Sequence, residues 1–563
     1  MRSADPHRVS ARTIVVACTG VFALIVLLYG PALRGHFVFD DLSLPFAKIT
    51  RDGPLADWIS GVRPVLMFSY WLNYRLWGAD PFSFHFVNVG IHFVNTTLVF
   101  LVLWRLLQMA GWVRRKSLIA AGIGALVFAI HPLQTESVSY VAGRSESLMS
   151  LFLLLAYAVF LYRRNDAISW REALLVLLLF AVAVKTKENA VSFAGILMLT
   201  DVFWPEPFSL RGLRRNWRLY SLMVPGVLAA AVAVFRMLST ASSAGFSVAT
   251  FRWYQYGFTE ARAIFTYIRL TLLPLGQSID QDYPTSHTVL EHGALFYLLL
   301  LAGTVALAVL WRRRYPLFCF GLLMFLIWLA PTSSIVPLDD ALVERRMYLP
   351  LMGLILIGCE VGARLRARTA AAVASCVFIG VAFGTMCYDR NRLWGTPDRL
   401  IEMAATGAVY NPRPLLNFSE TLIQQNRCEL GPPLLERAER RLGPNNYYVN
   451  AAWGRTLACL GRFDQAMERL QTAARLGPCS QIYEWIGLVY GQMGRLPEAG
   501  EALRKAVELG PNSETAHGSL ALWYEKTNDL AAAEREYLRA VSLDGGDTWA
   551  KLALMRVRDR EEQ

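Results

Sequence analysis

Two carboxylates stand side by side, Asp40 and Asp41, in the stretch His36-Phe-Val-Phe-Asp-Asp-Leu42. A carboxylate can take a proton from an attacking hydroxyl or orient it, provided it sits where the leaving group departs. The same pair could equally hydrate the end of a helix. Neighbouring side chains diverge by about 100° in a helix and alternate faces in a strand, so only one can meet a small target. Asp40, directly after Phe39, is the expected working residue. Cations recur in other short segments: Arg144, Lys185 and Lys187, Arg345 and Arg346. Arginine offers a planar fork to phosphate, so these five are candidate holders of an anionic headgroup. Any one of them alone reads as an interface residue reaching for water.

A further group is spaced as a stripe. In HFVNVGIHFVN, residues His85, Asn88, His92 and Asn95 fall 3, 4 and 3 apart, on one face of a helix. Inside a membrane such a stripe must meet protein or a wet cavity. Interhelical hydrogen bonding is one reading and cavity lining the other. His131 and Glu136, Glu188 beside Lys187, and Glu344 and Tyr348 around the Arg345–Arg346 pair complete the polar set assigned to a cavity.

These groups need helices to carry them. Of 563 residues, 54% are apolar and only 18% charged, against about 25% charged in ordinary soluble domains. The apolar excess ends near residue 387. Eleven stretches are candidate spans: 11–33, 85–107, 117–132, 146–162, 171–185, 188–204, 219–237, 292–311, 316–333, 350–366 and 369–387. The first reads as a retained span, because it is long and no small-residue cleavage site follows. Basic clusters at 112–116, 162–164, 211–218, 311–314 and 364–368 all fall on one side when the N-terminus is cytoplasmic. That arrangement requires 258–275 to be an amphipathic or re-entrant helix rather than a crossing. The net charge of +12 therefore belongs to cytoplasmic loops, and nucleic acid is not an expected partner. The segments bearing Asp40, Glu136, Lys187 and Arg345 share the opposite, exoplasmic side. Eight cysteines contain no CxxC and no zinc spacing, so no metal ligands are assigned.

After residue 410 a period appears. LGP recurs at 442–444, 476–478 and 509–511, and LDG at 543–545. A repeat of 33 to 34 residues with paired helices is that of tetratricopeptide repeats. Units 445–478, 479–511 and 512–545 match, and 411–444 is a degenerate fourth. Such an array stacks into a curved solenoid whose concave face suits a protein or peptide, or else serves as a platform. The expected fold is all-α: a polytopic membrane bundle over 1–395, a linker over 396–410, and the repeats over 411–563.

The order of motifs carries a resemblance. HFVFDDLSLP, RPVLMFSYWLNYRLWGADPFSFHFVNVGIHFVN, AIHPLQTESVSYVAGRSES, KTKENAVS and SSIVPLDDALVERRMYLP are similar, in sequence order, to the membrane core of the transmembrane-and-tetratricopeptide (TMTC) family. The resemblance covers most of residues 15–395, and the repeats follow where that family places them. This chain departs in having only about four repeats. The family is grouped with C-type glycosyltransferases, which carry an acidic motif in the first outer loop. The resemblance implies an inverting transfer from a polyprenyl-phosphate sugar, mannose in the eukaryotic members, to a hydroxyl. It implies Asp40 or Asp41 as the catalytic carboxylate and the cations as phosphate holders. The acceptor would be a protein or peptide recruited by the repeats. No metal is required for a donor with one phosphate, although an Asp pair leaves room for a divalent ion. The implied setting is a bacterial inner membrane with periplasmic repeats, or an endoplasmic reticulum membrane with lumenal repeats. A transferase acting on lipid or polysaccharide, and a non-enzymatic assembly factor or transporter, remain the alternatives.

Overall fold

The computed structural model describes residues 11–47, 54–163, 165–204, 207–240, 252–334, 336–338, 340–365, 369–543 and 548–562. Arg164, residues 366–368 of the last basic cluster, and residues 544–545 of the last repeat period lie outside the described residues. The protein is all-α, and the chain divides into two compact units. One comprises residues 1–38, 59–279 and 283–397; the other comprises 39–58, 280–282 and 398–563.

Each of the eleven expected stretches carries a helix. They run Ala11–Tyr29, Pro81–Met109, Arg114–Ile130, Arg144–Leu161, Trp170–Thr186, Ser192–Phe203, Trp217–Thr240, Ala294–Leu310, Pro316–Leu329, Leu351–Arg364 and Thr369–Trp394. Among the described residues, five helices are long and apolar enough to cross a membrane singly. A sixth is added if Arg114–Ile130 and Pro132–Ser139, bent by 53°, form one broken span. Trp217–Thr240, at 24 residues, is not among them, and the other stretches are shorter; fourteen residues, as in Pro316–Leu329, rise about 21 Å against a hydrocarbon core of about 30 Å. Trp253–Leu272, expected as a non-crossing helix, is not among the spans. The segment 34–84 also holds a helix that its sequence did not announce, Pro64–Trp77.

Local chemistry fixes the helix ends that matter. Asp80 caps Pro81–Met109 by accepting from the amides of Phe82 and Ser83, each at 3.3 Å, with proline at the first helical position. Ser169 and Glu172 form a reciprocal capping box at the start of Trp170–Thr186. Gly321 and Gly353 face each other so closely that a Cβ on either would strike the other's carbonyl. Small residues thereby bring helices Pro316–Leu329 and Leu351–Arg364 into backbone contact.

In the second unit, helix pairs repeat. They are Arg413–Gln424 with Gly431–Leu442, Tyr447–Cys459 with Phe463–Leu476, Ser480–Gln492 with Leu496–Leu509, and Glu514–Lys526 with Leu530–Leu543. Thr548–Glu562 follows as a final helix. The turns inside successive pairs place Asn426, Gly461, Gly494 and Asn528 at φ between 57° and 75°. Glycine and asparagine tolerate that left-handed conformation, which ends one helix and reverses the chain. Gly454 packs against Leu470 and Gly487 against Leu503, the same small-on-large contact one period apart. Residues 396–410, read from sequence as a linker, hold the helix Pro397–Gly407. Cys428 and Cys459 form a disulfide, with Cα atoms 6.1 Å apart, joining the first two pairs.

Candidate functional site

The short segments that interrupt the membrane helices bring charges together. Arg345 donates its backbone amide to Glu136 at 3.0 Å and pairs its guanidinium with the same carboxylate. Its guanidinium carbon stands 6.0 Å from the ring centre of Tyr140. Lys187 pairs with Glu146 at 2.5 Å. Arg63 makes a two-pronged pair with Glu188, at 2.9 and 2.8 Å. Lys187 feels both Arg63 and Arg345, so the three cations form one electrostatic cluster rather than three isolated bridges. Burial holds the Lys187 ammonium below the usual lysine range, against the pull of Glu146. For Arg345 burial acts in the same direction, but Glu136 more than restores the guanidinium's basicity.

The geometry divides the other predicted cations. Arg144 is fully buried and holds its own scaffold. It donates to Asn88 at 2.6 Å, Asn73 at 2.9 Å and the Phe84 carbonyl at 2.9 Å, and it lies over the ring of Tyr70 at 4.7 Å. Arg346 donates to the carbonyls of Thr332, Asp340 and Ala341 at 3.3, 2.6 and 3.1 Å, tying down the segment that precedes it. Both guanidinium groups therefore hold neighbouring segments in this structure. Lys185 is exposed and makes no ion pair with a described residue. It stands apart from the buried charges.

The stripe on helix Pro81–Met109 faces protein. His92 meets the Tyr348 hydroxyl at 2.8 Å and the Ala129 carbonyl at 3.0 Å. Asn95 donates to Tyr348 Oη at 3.1 Å and to the Ser147 carbonyl at 2.7 Å. Asn88 donates to the carbonyls of Val138 and Tyr140 at 3.1 and 3.3 Å, and His85 Nε2 lies 3.2 Å from the Gly35 carbonyl. His131 is buried between the Thr271 carbonyl, at 2.9 Å, and the ring of Phe383. His85, His92, His131 and Tyr348, expected to line a cavity, thus meet protein partners in this structure. Asn88 satisfies two carbonyls in the helix break at 131–143, and His85, His92, Asn95 and His131 each meet a carbonyl elsewhere in the bundle.

Glu344 is sealed from solvent and accepts from Gln277 Nε2 at 2.7 Å and the Ser278 amide at 2.8 Å. Arg390 Nη2 lies 3.9 Å away. Burial pushes the Glu344 carboxyl up to about 7; Arg390 opposes this and Glu136 adds to it. Asp40 and Asp41, in the second unit, do diverge. Asp40 is exposed and Asp41 is buried, within a short 3-10 turn, Phe39–Ser43. Phe39 sits at φ 50°, an unfavourable conformation for a bulky residue and a form of strain found at functional sites. Among the described residues no three His, Cys, Asp or Glu side chains stand together as a metal site.

Known proteins sharpen the reading. The tetratricopeptide-repeat family matches residues 451–514 and 492–548. Protein O-mannosyl-transferase TMTC3 of Mus musculus is 30% identical over 34% of this chain and 22% of its own length. Protein O-mannosyl-transferase F38B6.6 of Caenorhabditis elegans is 25% identical over 71% of this chain and 59% of its own. The chain is TMTC-like. The TMTC-like region spans less than two thirds of either relative. Among solved structures, a thermophilic tetratricopeptide-repeat protein of Thermus thermophilus matches at 18% identity and TM-score 0.27, over 31% of this chain and 93% of that one.

Sequence reading of this TMTC-like chain missed Arg63, Glu146 and Arg390. Arg63 directly precedes the helix that begins at Pro64, and Glu146 lies two residues beyond Arg144. Those positions were the available signal. Arg390 had none, being one of several arginines after the last apolar run.

Proposed function

We propose that this chain is a membrane glycosyltransferase that moves a sugar from a polyprenyl-phosphate donor to a protein hydroxyl. Mannose is the proposed sugar, after the names of the relatives. The observation that carries the reading is the cluster of Arg63, Lys187 and Arg345, contributed by three separate segments and held in place by Glu188, Glu146 and Glu136. A fixed set of cations stabilises charge that develops on a departing phosphate without having to reorganise.

In the proposed step the acceptor oxygen attacks the anomeric carbon of the sugar. The new glycosidic bond forms as the bond from that carbon to the phosphate oxygen breaks. The phosphate leaves with the electron pair, and configuration inverts. The acceptor proton passes to a carboxylate of the Asp40–Asp41 pair, with Asp40 as the base. This chemistry needs no metal, and the acidic pair could still hold a divalent ion. The repeats recruit the acceptor polypeptide.

Site and repeats are proposed to face an oxidising compartment. The Cys428–Cys459 disulfide supports this, because such bonds persist in the periplasm or the endoplasmic reticulum lumen and not in a reducing cytosol. The deciding experiment is incubation of purified protein with labelled polyprenyl-phosphate sugars and candidate acceptor proteins. Label in protein, lost when Asp40 becomes Asn, is the expected result. Label appearing only in lipid or polysaccharide would overturn the acceptor assignment.

A further inference from the structure

Arg390 is a buried arginine with an incomplete set of partners. Only 5% of it is exposed. Its Nη1 donates to the Gln277 carbonyl at 3.3 Å, while Nε and Nη2 have no hydrogen-bond partner among the described residues. The nearest counter-charge, Glu344, is 3.9 Å from Nη2, an ion pair without a hydrogen bond. Glu344 is already satisfied by Gln277 and Ser278. A buried donor left unmade costs about 1–3 kcal/mol, more when it is charged, and folded proteins carry few of them.

A second unmatched donor lies one turn along the same helix. Trp394 is 3% exposed, and its Nε1 has no hydrogen-bond partner among the described residues. Residues four apart share a helix face, so Arg390 and Trp394 stand on the same side of this helix. The Trp394 ring stacks on Tyr140 at 5.6 Å, and on that same Tyr140 rests the guanidinium of Arg345. Trp394 and Arg345 thus share Tyr140, and Glu344 stands beside Arg390.

We propose that Arg390 and Trp394 bind the phosphate of the lipid-linked donor, with Glu344 holding Arg390's charge when that phosphate is absent. The proposal rests on the transferase reading and adds Arg390 and Trp394 to the phosphate contacts which that reading gives to Arg63, Lys187 and Arg345. A phosphate placed there receives N–H groups from the planar fork of Arg390 and from the Trp394 indole. Its negative charge replaces that of Glu344, which gains a proton or loses its influence.

The test is direct binding of a short-chain polyprenyl phosphate to the full-length protein. Polyprenol and inorganic phosphate are the comparison arms. The wild type should prefer polyprenyl phosphate to both. Arg390→Ala should weaken that binding about tenfold or more, the scale of hydrogen bonds to a charged group. Arg390→Lys should restore only part, since the fork is lost. Glu344→Gln should strengthen binding several-fold by removing the competing carboxylate, and this variant decides the matter if Arg390→Ala does not fold. Equal affinity in folded Arg390→Ala and Glu344→Gln proteins overturns the proposal. Inorganic phosphate binding as tightly as the lipid, through Arg390, overturns the lipid assignment. If the wild type binds the lipid through Arg390 yet transfers no sugar, the transferase reading fails and this site stands. If Arg390→Ala transfers sugar normally, this site alone fails.

Discussion

Arg345 and Glu136 are joined twice, through the arginine's backbone amide and through its guanidinium, across 209 positions of sequence. The double contact fixes the main chain as well as the side chain. A cation held in this way keeps its position when a ligand arrives, and only part of its fork is occupied by the carboxylate. Arg346, its neighbour, is engaged by three backbone carbonyls and by no carboxylate within ion-pair distance among the described residues.

The two arginines should therefore respond differently to substitution. Arg345→Ala is expected to weaken donor binding about tenfold, with Arg345→Lys recovering part. Arg346→Ala should instead lower the thermal midpoint, because the part-buried carbonyls of Asp340 and Ala341 lose their donor and that of Thr332 keeps only Tyr256, a loss of about 1–3 kcal/mol. Donor titration alongside thermal unfolding separates the two. An Arg346→Ala protein of normal stability but poor donor affinity would return Arg346 to the phosphate site.

What was legible in the sequence follows from what periodicity can encode. All eleven apolar stretches are helical, the form in which a long apolar run satisfies its own backbone. The repeat turns were legible because the left-handed conformation selects glycine or asparagine at Gly461, Gly494 and Asn528. Partner choice was not. Spacing placed His85, Asn88, His92 and Asn95 on one face, but it could not say whether that face met water or the carbonyls of a broken helix. Nor could it say that Arg144, equal in type to Arg345, would be locked among Asn73, Asn88 and Phe84. The Cys428–Cys459 bond was hidden for a similar reason. Its two cysteines are 31 residues apart in sequence, and only the stacking of successive helix pairs brings them together.

That disulfide makes a prediction about the repeats. Residues 411–555 should express alone as a soluble helical protein, since neighbouring pairs supply one another's core. Closing a loop of 31 residues is worth about 3–4 kcal/mol in the chain-entropy account. Replacing Cys428 and Cys459 by Ala should lower the unfolding midpoint markedly, and reductant should do the same to the natural sequence. In cells, thiol labelling should find both cysteines blocked until reduction. Free, labelled thiols in the native membrane protein would place the repeats in a reducing compartment and sink the proposed orientation.

Glu344 supplies a pH dependence. Its carboxyl is raised to about 7 by burial, with Arg390 opposing and Glu136 reinforcing; Gln277 and Ser278 are its other polar neighbours. The folded state therefore holds a proton that the unfolded chain has already released above the ordinary glutamate value of about 4.3. The contribution to stability is complete below that value and is lost as pH rises towards 7. Between pH 5 and 8 the wild type should lose thermal stability relative to Glu344→Gln, which carries no titrating group there. Parallel curves for the two proteins would remove Glu344 from the titration.

The strongest demand falls on Asp40 and Asp41. Their side chains part company, Asp40 exposed and Asp41 buried, within a turn that holds Phe39 at φ 50°. An exposed carboxylate can meet an acceptor hydroxyl, whereas a buried one can only shape the turn. Asp40→Asn keeps the size and most of the hydrogen bonding but removes the base and the charge. Loss of a general base typically costs ~10²–10⁴ in rate. Transfer by Asp40→Asn should fall by that order with donor affinity nearly unchanged. Asp41→Asn should act through the turn, giving a smaller rate loss together with a lower thermal midpoint. Rates measured at saturating donor, with unfolding followed on the same preparations, distinguish the two roles. If Asp41→Asn proves the slower enzyme at unchanged stability, the assignments exchange. If both variants transfer sugar at the normal rate, the acidic pair is not catalytic and the proton acceptor must lie elsewhere in the chain.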